Sequence, residues 1–196
     1  DVYKRQIPDS GILFDNMFFE SGDEIPTERF IQTRIEAEIA FCMKGPLAGE
    51  VTREEVLQAT DYVFPSLEIL DTRIFRKDEN TGKMRTVFDT ISDNAANAGV
   101  ISGVQKNDPQ KFDLRRVGSI VMRNNEVEET GLGAGVLNDP ITGIIWLVKR
   151  LSEYNQKIRP GEIILSGSFI RPIEARKGDE FYADFGDFGF VECKFN

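Results

Sequence analysis

An alternation of residue character between positions 32 and 41 is the strongest constraint on how this chain folds. Apolar or small side chains occupy the odd positions from Thr33 to Phe41, and polar side chains, among them Glu36 and Glu38, occupy the even positions from 32 to 38. A period of two residues is typical of a β-strand with one buried face. The pattern therefore predicts a strand that carries two carboxylates side by side on its other face.

The chain contains no histidine among its 196 residues. A metal site therefore has to be built from oxygen ligands, and acid–base chemistry has to use Asp, Glu, Lys, Tyr or Cys. A third carboxylate, Glu68, lies in an apolar segment that reads as a second strand over residues 63–71. Three carboxylates that converge from two strands suit a hard divalent cation such as Mg²⁺ or Mn²⁺.

The pattern also allows a simpler interpretation, in which Glu36 and Glu38 line the solvated face of an edge strand. Glu68 argues against it, because a buried carboxylate is costly unless it is paired or bound to a metal. Two carboxylates about 4 Å apart repel by roughly 4 kcal/mol at an effective dielectric constant of about 20. A divalent cation turns that repulsion into affinity, so the three glutamates are candidate metal ligands.

Composition limits the partners and the compartment. The formal net charge is −9 and no basic stripe offsets it, so nucleic acid is not expected as a partner. No apolar run reaches the roughly 18 residues that a membrane span requires. Cys42 and Cys193 each lie in an apolar run and are expected to be free thiols, as in a cytoplasmic protein.

The remaining patterns predict many strands and two helices. Thr52 and Glu55 form a capping box that begins a helix ending near residue 61. Asp139 followed by Pro140 begins a second helix that ends near residue 154. Further strands are predicted over residues 117–123, 126–130, 163–166, 180–185 and 189–195. This composition of elements favours a single α+β domain that is mainly β.

Two segments rich in small residues are candidate walls of a pocket. Residues 89–99 are either a turn capped by Asx side chains or a backbone-rich loop that lines the pocket. Residues 166–169 are either an ordinary tight turn or a turn that presents N–H groups and a hydroxyl to a carboxylate. Both alternatives remain open from the residues alone.

Several runs resemble a known family when they are taken together: residues 34–41, 59–63, 67–73, 88–99, 128–131, 135–138, 167–169, 171–172 and 175–179. The chain resembles the 2-keto-4-pentenoate hydratase branch of the fumarylacetoacetate hydrolase superfamily, from about Pro8 to Phe195. The resemblance implies a mixed β roll or pseudo-barrel of the fumarylacetoacetate hydrolase C-terminal type, with flanking helices.

The resemblance also implies an activity. It implies a divalent metal, Mg²⁺ or Mn²⁺, on Glu36, Glu38 and Glu68 that chelates the carboxylate and keto oxygen of a 2-oxo acid. The implied reaction is hydration of a 2-oxo-alkenoate, such as 2-oxo-hept-4-ene-1,7-dioate to 4-hydroxy-2-oxo-heptane-1,7-dioate, in 4-hydroxyphenylacetate degradation. Members of the superfamily form homo-oligomers, which is the expectation for this chain as well.

The same resemblance implies which residues bind the substrate. Those implied to bind it are Asn94, Asn97, Ser168 and Phe169. Arg73, Arg171 and Arg176 are the candidates to hold a second substrate carboxylate, although ion pairs within the protein explain each of them equally well.

The sequence departs from the family pattern at two places. A Lys-x-Gly segment that serves acid–base chemistry in the family is absent upstream, so Asp9, the expected acidic partner of that lysine, is left as the catalytic candidate. We therefore expect residues 1–7 to be a foreign or disordered stub and residues 8–196 to be one domain that binds metal without full turnover. Ile170 stands where a hydroxyl residue is expected beside the pocket.

Three other functions are weighed against hydration. A 2-oxo-3-hexenedioate decarboxylase of the same superfamily shares the implied fold and metal. A hydrolase is disfavoured, because that chemistry uses a Glu–His arrangement and the chain has no histidine. A non-catalytic scaffold that keeps the metal site for stability is the third possibility.

Overall fold

The computed structural model describes residues 8–196, so the expectation for residues 1–7 lies outside the described residues. The strands of the described chain are β1 (Phe18–Glu20), β2 (Glu24–Ile25), β3 (Thr33–Met43), β4 (Thr60–Asp71), β5 (Asn97–Ser102), β6 (Gly118–Arg123), β7 (Glu126–Leu132), β8 (Ile163–Leu165), β9 (Ile173–Glu174), β10 (Glu180–Asp184) and β11 (Phe190–Phe195). The α-helices are α1 (Arg53–Ala59), α2 (Val87–Ser92) and α3 (Pro140–Ser152). The predicted α+β, mainly β fold is confirmed.

The strands form two mixed sheets. The larger sheet has the order β1-β5-β4-β3-β8, and β9 also pairs with β3. The smaller sheet has the order β2-β11-β10-β6-β7. β1 pairs with β5 and β2 with β11 in parallel, whereas all other pairs are antiparallel. Within residues 8–196 neither sheet closes into a barrel, so the roll describes the fold better than the pseudo-barrel.

The two faces of β3 have different environments, as the alternation predicts. Ile35, Ile39 and Phe41 on the odd-numbered face are fully buried in the core. Burying one such side chain contributes roughly 1.5–3 kcal/mol. A slip of one residue would put the glutamates into this core, so the apolar face fixes the direction in which Glu36 and Glu38 point.

The predicted helix caps are present. The Thr52 hydroxyl accepts a hydrogen bond from the Glu55 N–H at 3.2 Å, and the Glu55 carboxylate accepts one from the Thr52 N–H at 2.7 Å. Helix α1 ends at Ala59, two residues before the predicted end, because β4 begins at Thr60. The Asp139 carboxylate caps α3 by accepting from the N–H of Ile141 at 3.0 Å. No helix within the described range is both long and apolar enough to cross a bilayer.

The segment 89–99, for which we expected a turn or a loop, contains regular structure. It includes the end of α2, a short 3-10 turn at Asn94–Ala96 and the beginning of β5. Thr86 and Asp89 form a capping box for α2. The sequence pattern hides this helix because none of its residues is buried, so its apolar residues form no one-sided stripe.

Candidate metal centre

The structure brings the three predicted metal ligands together. Glu36 on β3 lies opposite Glu68 on β4, and Glu38 follows two residues later on the same sheet face. One carboxylate oxygen from each of the three side chains lies within 4.8 Å of those from the other two. The antiparallel register of two strands is therefore sufficient to assemble the cluster.

Burial suppresses the ionisation of these side chains. Only 2% of Glu38 is exposed, and its pKa lies well above its usual range because of burial first and the charges of Glu68 and Glu36 second. Burial, with Glu68 next in effect, raises the pKa of Glu36 to about 8. Burial also raises the pKa of Glu68, which shares a hydrogen bond with Glu38. Without a cation the cluster is therefore expected to hold protons near neutral pH.

The donor set fits a hard divalent cation. It offers carboxylate oxygens without nitrogen or sulfur, as Mg²⁺ and Mn²⁺ prefer. A bound cation would relieve the repulsion between these carboxylates. Ligands from only two strands leave part of a coordination sphere for other molecules.

The edge of the larger sheet is interrupted next to the glutamates. β8 and β9 pair with β3 on either side of Glu36 and Glu38, and residues 166–172 cross the gap between them. There the N–H of Gly167 donates to the Glu38 carboxylate at 2.8 Å. Gly167 has a φ of +104°, which residues with a side chain rarely adopt. The segment thus presents one backbone N–H to the protein's own Glu38, whereas the predicted role included a hydroxyl as well.

Two further glycines allow this crossing segment to lie close to its neighbours. A Cβ atom on Gly131 of β7 would be 2.0 Å from the carbonyl oxygen of Phe169. A Cβ atom on Gly143 of α3 would be 2.6 Å from the carbonyl oxygen of Ser166. The position of the Gly167 N–H therefore depends on contacts with β7 and α3.

Asn97 contacts a predicted ligand directly. Its amide nitrogen donates to the Glu68 carboxylate at 2.7 Å, and only 5% of the residue is exposed. The β4–β5 register shifts between Ile69 and Leu70, so that Leu70 lies opposite Asn97. Because side chains alternate along a strand, this shift turns Asn97 to the face that carries Glu68. The sequence contains no sign of the shift, and the contact with Glu68 was not predicted.

Asn94 and Arg73 hold the turn that precedes Asn97. The amide of Asn94 bonds the backbone of Ile12 twice, accepting from its N–H at 2.7 Å and donating to its carbonyl at 2.9 Å. The Arg73 guanidinium bonds the Asp93 carboxylate at 2.6 Å and the Asn97 carbonyl at 3.1 Å. Both predicted substrate residues are thus engaged with the protein in this structure.

Ser168 and Phe169 lie in the crossing segment. The Ser168 hydroxyl donates to the carbonyl of Ile170 at 3.0 Å and accepts from the Ile170 N–H at 3.2 Å. The Phe169 ring is 8% exposed and packs edge-to-face against Phe185, with 5.9 Å between the ring centroids. Neither side chain touches the three glutamates through a hydrogen bond of the described chain.

The arginine candidates all form ion pairs. Arg73 pairs with Asp93, Arg171 with Glu129, and Arg176 with Glu174. The alternative of ion pairs within the protein thus accounts for each of them.

Asp9 adds a fourth carboxylate near the cluster. Its negative charge raises the pKa of both Glu36 and Glu68. The pKa of Asp9 itself is raised by burial. The catalytic candidate thus lies within electrostatic reach of the predicted ligands.

A cavity of about 420 Å³ is lined by Asp71, Arg73, Ala98 and neighbouring residues, beyond the end of β4. The three glutamates do not line it, so it is separate from the cluster.

No family model matches the chain. It is 51% identical over 189 residues to a 2-oxo-hept-4-ene-1,7-dioate hydratase of Escherichia coli, which covers 96% of this chain and 71% of the relative. It is 37% identical to a 2-keto-4-pentenoate hydratase of Paraburkholderia xenovorans, over 96% of this chain and 68% of the relative. Among solved structures, a 4-oxalocrotonate decarboxylase from Pseudomonas putida G7, complexed with magnesium and adipate, matches with a TM-score of 0.87. That match has 30% identity and covers 95% of this chain and 69% of the other.

Proposed function

The chain belongs to the 2-keto-4-pentenoate hydratase branch of the fumarylacetoacetate hydrolase superfamily, and from this premise we propose that it serves the metal-dependent hydration of a 2-oxo-alkenoate. The observation that carries the proposal is the cluster of Glu36, Glu38 and Glu68, whose carboxylate oxygens lie within 4.8 Å of one another. Such a cluster, with protons held by burial, is prepared to exchange those protons for a cation.

The proposed substrate is 2-oxo-hept-4-ene-1,7-dioate and the product 4-hydroxy-2-oxo-heptane-1,7-dioate, since a relative with 51% identity carries the name of that hydratase. A proton leaves C3 and a proton is delivered to C5, which brings the double bond into conjugation with the keto group. Water then adds its oxygen to C4 and a proton to C3.

Glu36, Glu38 and Glu68 would hold the cation, which would supply Lewis-acid polarisation of the substrate's ketone. The Gly167 N–H and the Asn97 amide fix the orientation of Glu38 and Glu68. Asp9 is the proposed carrier of a proton, because its charge acts on both Glu36 and Glu68 and the carboxyl group thus lies near the proposed metal site. Asn97, Ser168 and Phe169 are proposed to border the substrate.

Calorimetric titration tests the proposed metal site. Wild-type protein is titrated with Mg²⁺ and Mn²⁺, with and without oxalate, which mimics the chelating end of a 2-oxo acid. We expect binding that oxalate tightens and that the double variant Glu36→Gln/Glu38→Gln loses. The control, Glu54→Gln/Glu79→Gln, removes two charges from exposed positions and should bind as the wild type does. Lack of binding by folded wild-type protein would contradict the proposal.

Decarboxylation is the second candidate, because the solved structure with a TM-score of 0.87 is that of a decarboxylase. Product analysis separates the two reactions. Release of CO₂ from 2-oxo-3-hexenedioate would identify a decarboxylase, and a 4-hydroxy-2-oxo acid would identify a hydratase. Metal binding without either product is expected of a scaffold and equally of a hydratase that depends on the Lys-x-Gly segment.

We also propose that the protein forms a homo-oligomer in a reducing, cytoplasmic environment. Phe75 and Phe88 are 73% and 76% exposed, and exposed apolar side chains of this size are candidates for a contact surface. Both cysteines are free thiols. Light scattering should show an oligomer that Phe88→Asp weakens, whereas Val104→Asp, at an equally exposed position, should leave it intact. If the wild-type protein is a monomer at roughly tens of micromolar, the proposed homo-oligomer is wrong.

A further inference from the structure

The buried side-chain oxygen of Asn97, Oδ1, has no hydrogen-bond partner within residues 8–196. The amide nitrogen of the same side chain donates to Glu68, so the whole amide lies against the carboxylate cluster. A buried acceptor without a donor is rare in folded proteins, because its lost hydration is then not compensated. A molecule bound at the cluster would supply such a donor.

The contact with Glu68 distinguishes the two ends of the amide. The amide nitrogen lies 2.7 Å from a Glu68 carboxylate oxygen, and an N–H group donates to such an oxygen. The amide oxygen is therefore the end of the side chain that is left without a partner within residues 8–196.

The protein itself keeps other donors away from this oxygen. The Arg73 guanidinium donates to the backbone carbonyl of Asn97, not to its side chain. The Asn94 amide is directed to Ile12. Asn94, Ala95 and Ala96 all have left-handed backbone angles, with φ of 53°, 57° and 61°, so the turn that sets the direction of Asn97 is unusual for residues other than glycine. The turn thus fixes the direction of the Asn97 side chain, whose enclosed oxygen lacks a donor within the described residues.

We propose that Asn97 has two functions: its nitrogen positions Glu68, and its oxygen accepts a hydrogen bond from an O–H group bound beside the cation. This inference rests on the proposed function. The O–H group belongs either to a hydroxyl of the ligand, such as that of a 4-hydroxy-2-oxo acid, or to a water molecule that the site holds. Where the donor is a ligand hydroxyl, Asn97 distinguishes ligands that carry this hydroxyl from ligands that lack it.

The experiment compares Asn97→Leu with the wild type in three measurements. Mn²⁺ affinity reports the positioning of Glu68, and we expect a loss of about 10-fold or more. At saturating Mn²⁺, the affinities for glycolate, which has a hydroxyl, and oxalate, which has none, report on a ligand hydroxyl. We expect the ratio of glycolate to oxalate affinity to fall about 5-fold. The luminescence lifetimes of Eu³⁺ bound in place of Mn²⁺ are compared in H₂O and D₂O with oxalate present. Their difference gives the number of water molecules at the ion, and so reports on a water that the site holds.

Asn107→Leu is the matched control. Asn107 is also a buried asparagine, but its amide donates to Phe188 at 2.7 Å and accepts from Gln105 at 3.1 Å. This variant should change the free energy of unfolding without changing the affinity ratio or the water count. Asn97→Asp, which retains an acceptor oxygen, should restore the affinity ratio even if its Mn²⁺ affinity differs.

A fall in the affinity ratio identifies the ligand hydroxyl as the donor, and a fall in the water count identifies water. If both quantities stay at the wild-type values in folded Asn97→Leu, the accepting role is wrong. If its Mn²⁺ affinity also stays unchanged, the positioning role is wrong as well. Absence of Mn²⁺ binding by the wild type would instead overturn the proposed function, and this inference with it.

Discussion

At the scale of single residues, burial decides the chemistry of the glutamates. Glu36 and Glu68 are half-buried and Glu38 is almost completely buried, although all three are ordinary acidic side chains. Burial in a low-dielectric environment disfavours the charged form of a carboxyl group. The same side chains on a solvated strand would be ionised at neutral pH and would hold no proton for a cation to replace.

The free energy of unfolding of the metal-free protein should therefore fall as pH rises from about 4.5 to about 8. Folding raises the pKa of Glu36 from its ordinary value of 4.5 to about 8. The folded state thus keeps a proton that the unfolded chain releases, so this contribution to stability is complete below about pH 4.5 and is lost as pH rises towards about 8. Since one pKa unit corresponds to about 1.4 kcal/mol, we expect the free energy of unfolding to fall by a few kcal/mol.

Urea unfolding in the presence of a chelator, at several pH values, measures this effect. Glu36→Gln should flatten the decline across that range, because glutamine does not titrate. Glu79→Gln, at an exposed turn position, should keep the wild-type slope. Equal slopes for Glu36→Gln and the wild type would show that Glu36 is ionised in the folded protein.

At the scale of elements, the segment that crosses the gap between β8 and β9 positions the Gly167 N–H. We expect Gly131→Ala to displace this segment, because the new Cβ would lie 2.0 Å from the carbonyl oxygen of Phe169. Overpacking of this kind destabilises by about 1–3 kcal/mol. Loss of the Gly167–Glu38 hydrogen bond should also lower Mn²⁺ affinity by about 10-fold.

Gly45→Ala is the control for this substitution, since its nearest neighbours would be 3.5 Å away, an ordinary contact distance. Mn²⁺ titration and urea unfolding of both variants test the prediction. If the two variants have the same Mn²⁺ affinity and the same free energy of unfolding, the crossing segment does not depend on close contact with β7.

The elements also show what the sequence can reveal. β3 was predicted from its alternation and α1 from its capping box, because both signals are local. α2 was not predicted, since it buries no residue. β8 and β9 contain three and two residues, and the gap between them is set by pairing with β3 rather than by local pattern. The contact between Asn97 and Glu68 likewise depends on a register shift, which only the assembled sheet contains.

At the scale of the whole molecule, the packing of the two sheets protects one cysteine. Cys193 of β11 is 4% exposed, and burial, with the charge of Glu192, raises its pKa to about 12. Cys42 is half-buried. We expect a thiol reagent at neutral pH to modify at most Cys42 in the folded protein, because the thiolate is the reactive form.

Counting reactive thiols with Ellman's reagent checks this prediction. Cys42→Ser should leave almost no reactive thiol until denaturant is added, and Cys193 should then react at the rate of global unfolding. Rapid modification of the folded Cys42→Ser variant would mean that the core around β11 opens without complete unfolding.

The hydrogen bond between Gly167 and Glu38 joins residues 129 positions apart in the chain. A contact of such long range closes a large loop, and large loops close late because of their entropy. During refolding, the cluster of glutamates can assemble as soon as β3 and β4 pair, but this N–H reaches Glu38 only when the ends of the 129-residue stretch between them have come together. Tight capture of a cation should thus lag behind strand formation, and it would serve as a kinetic signal that the chain has finished folding.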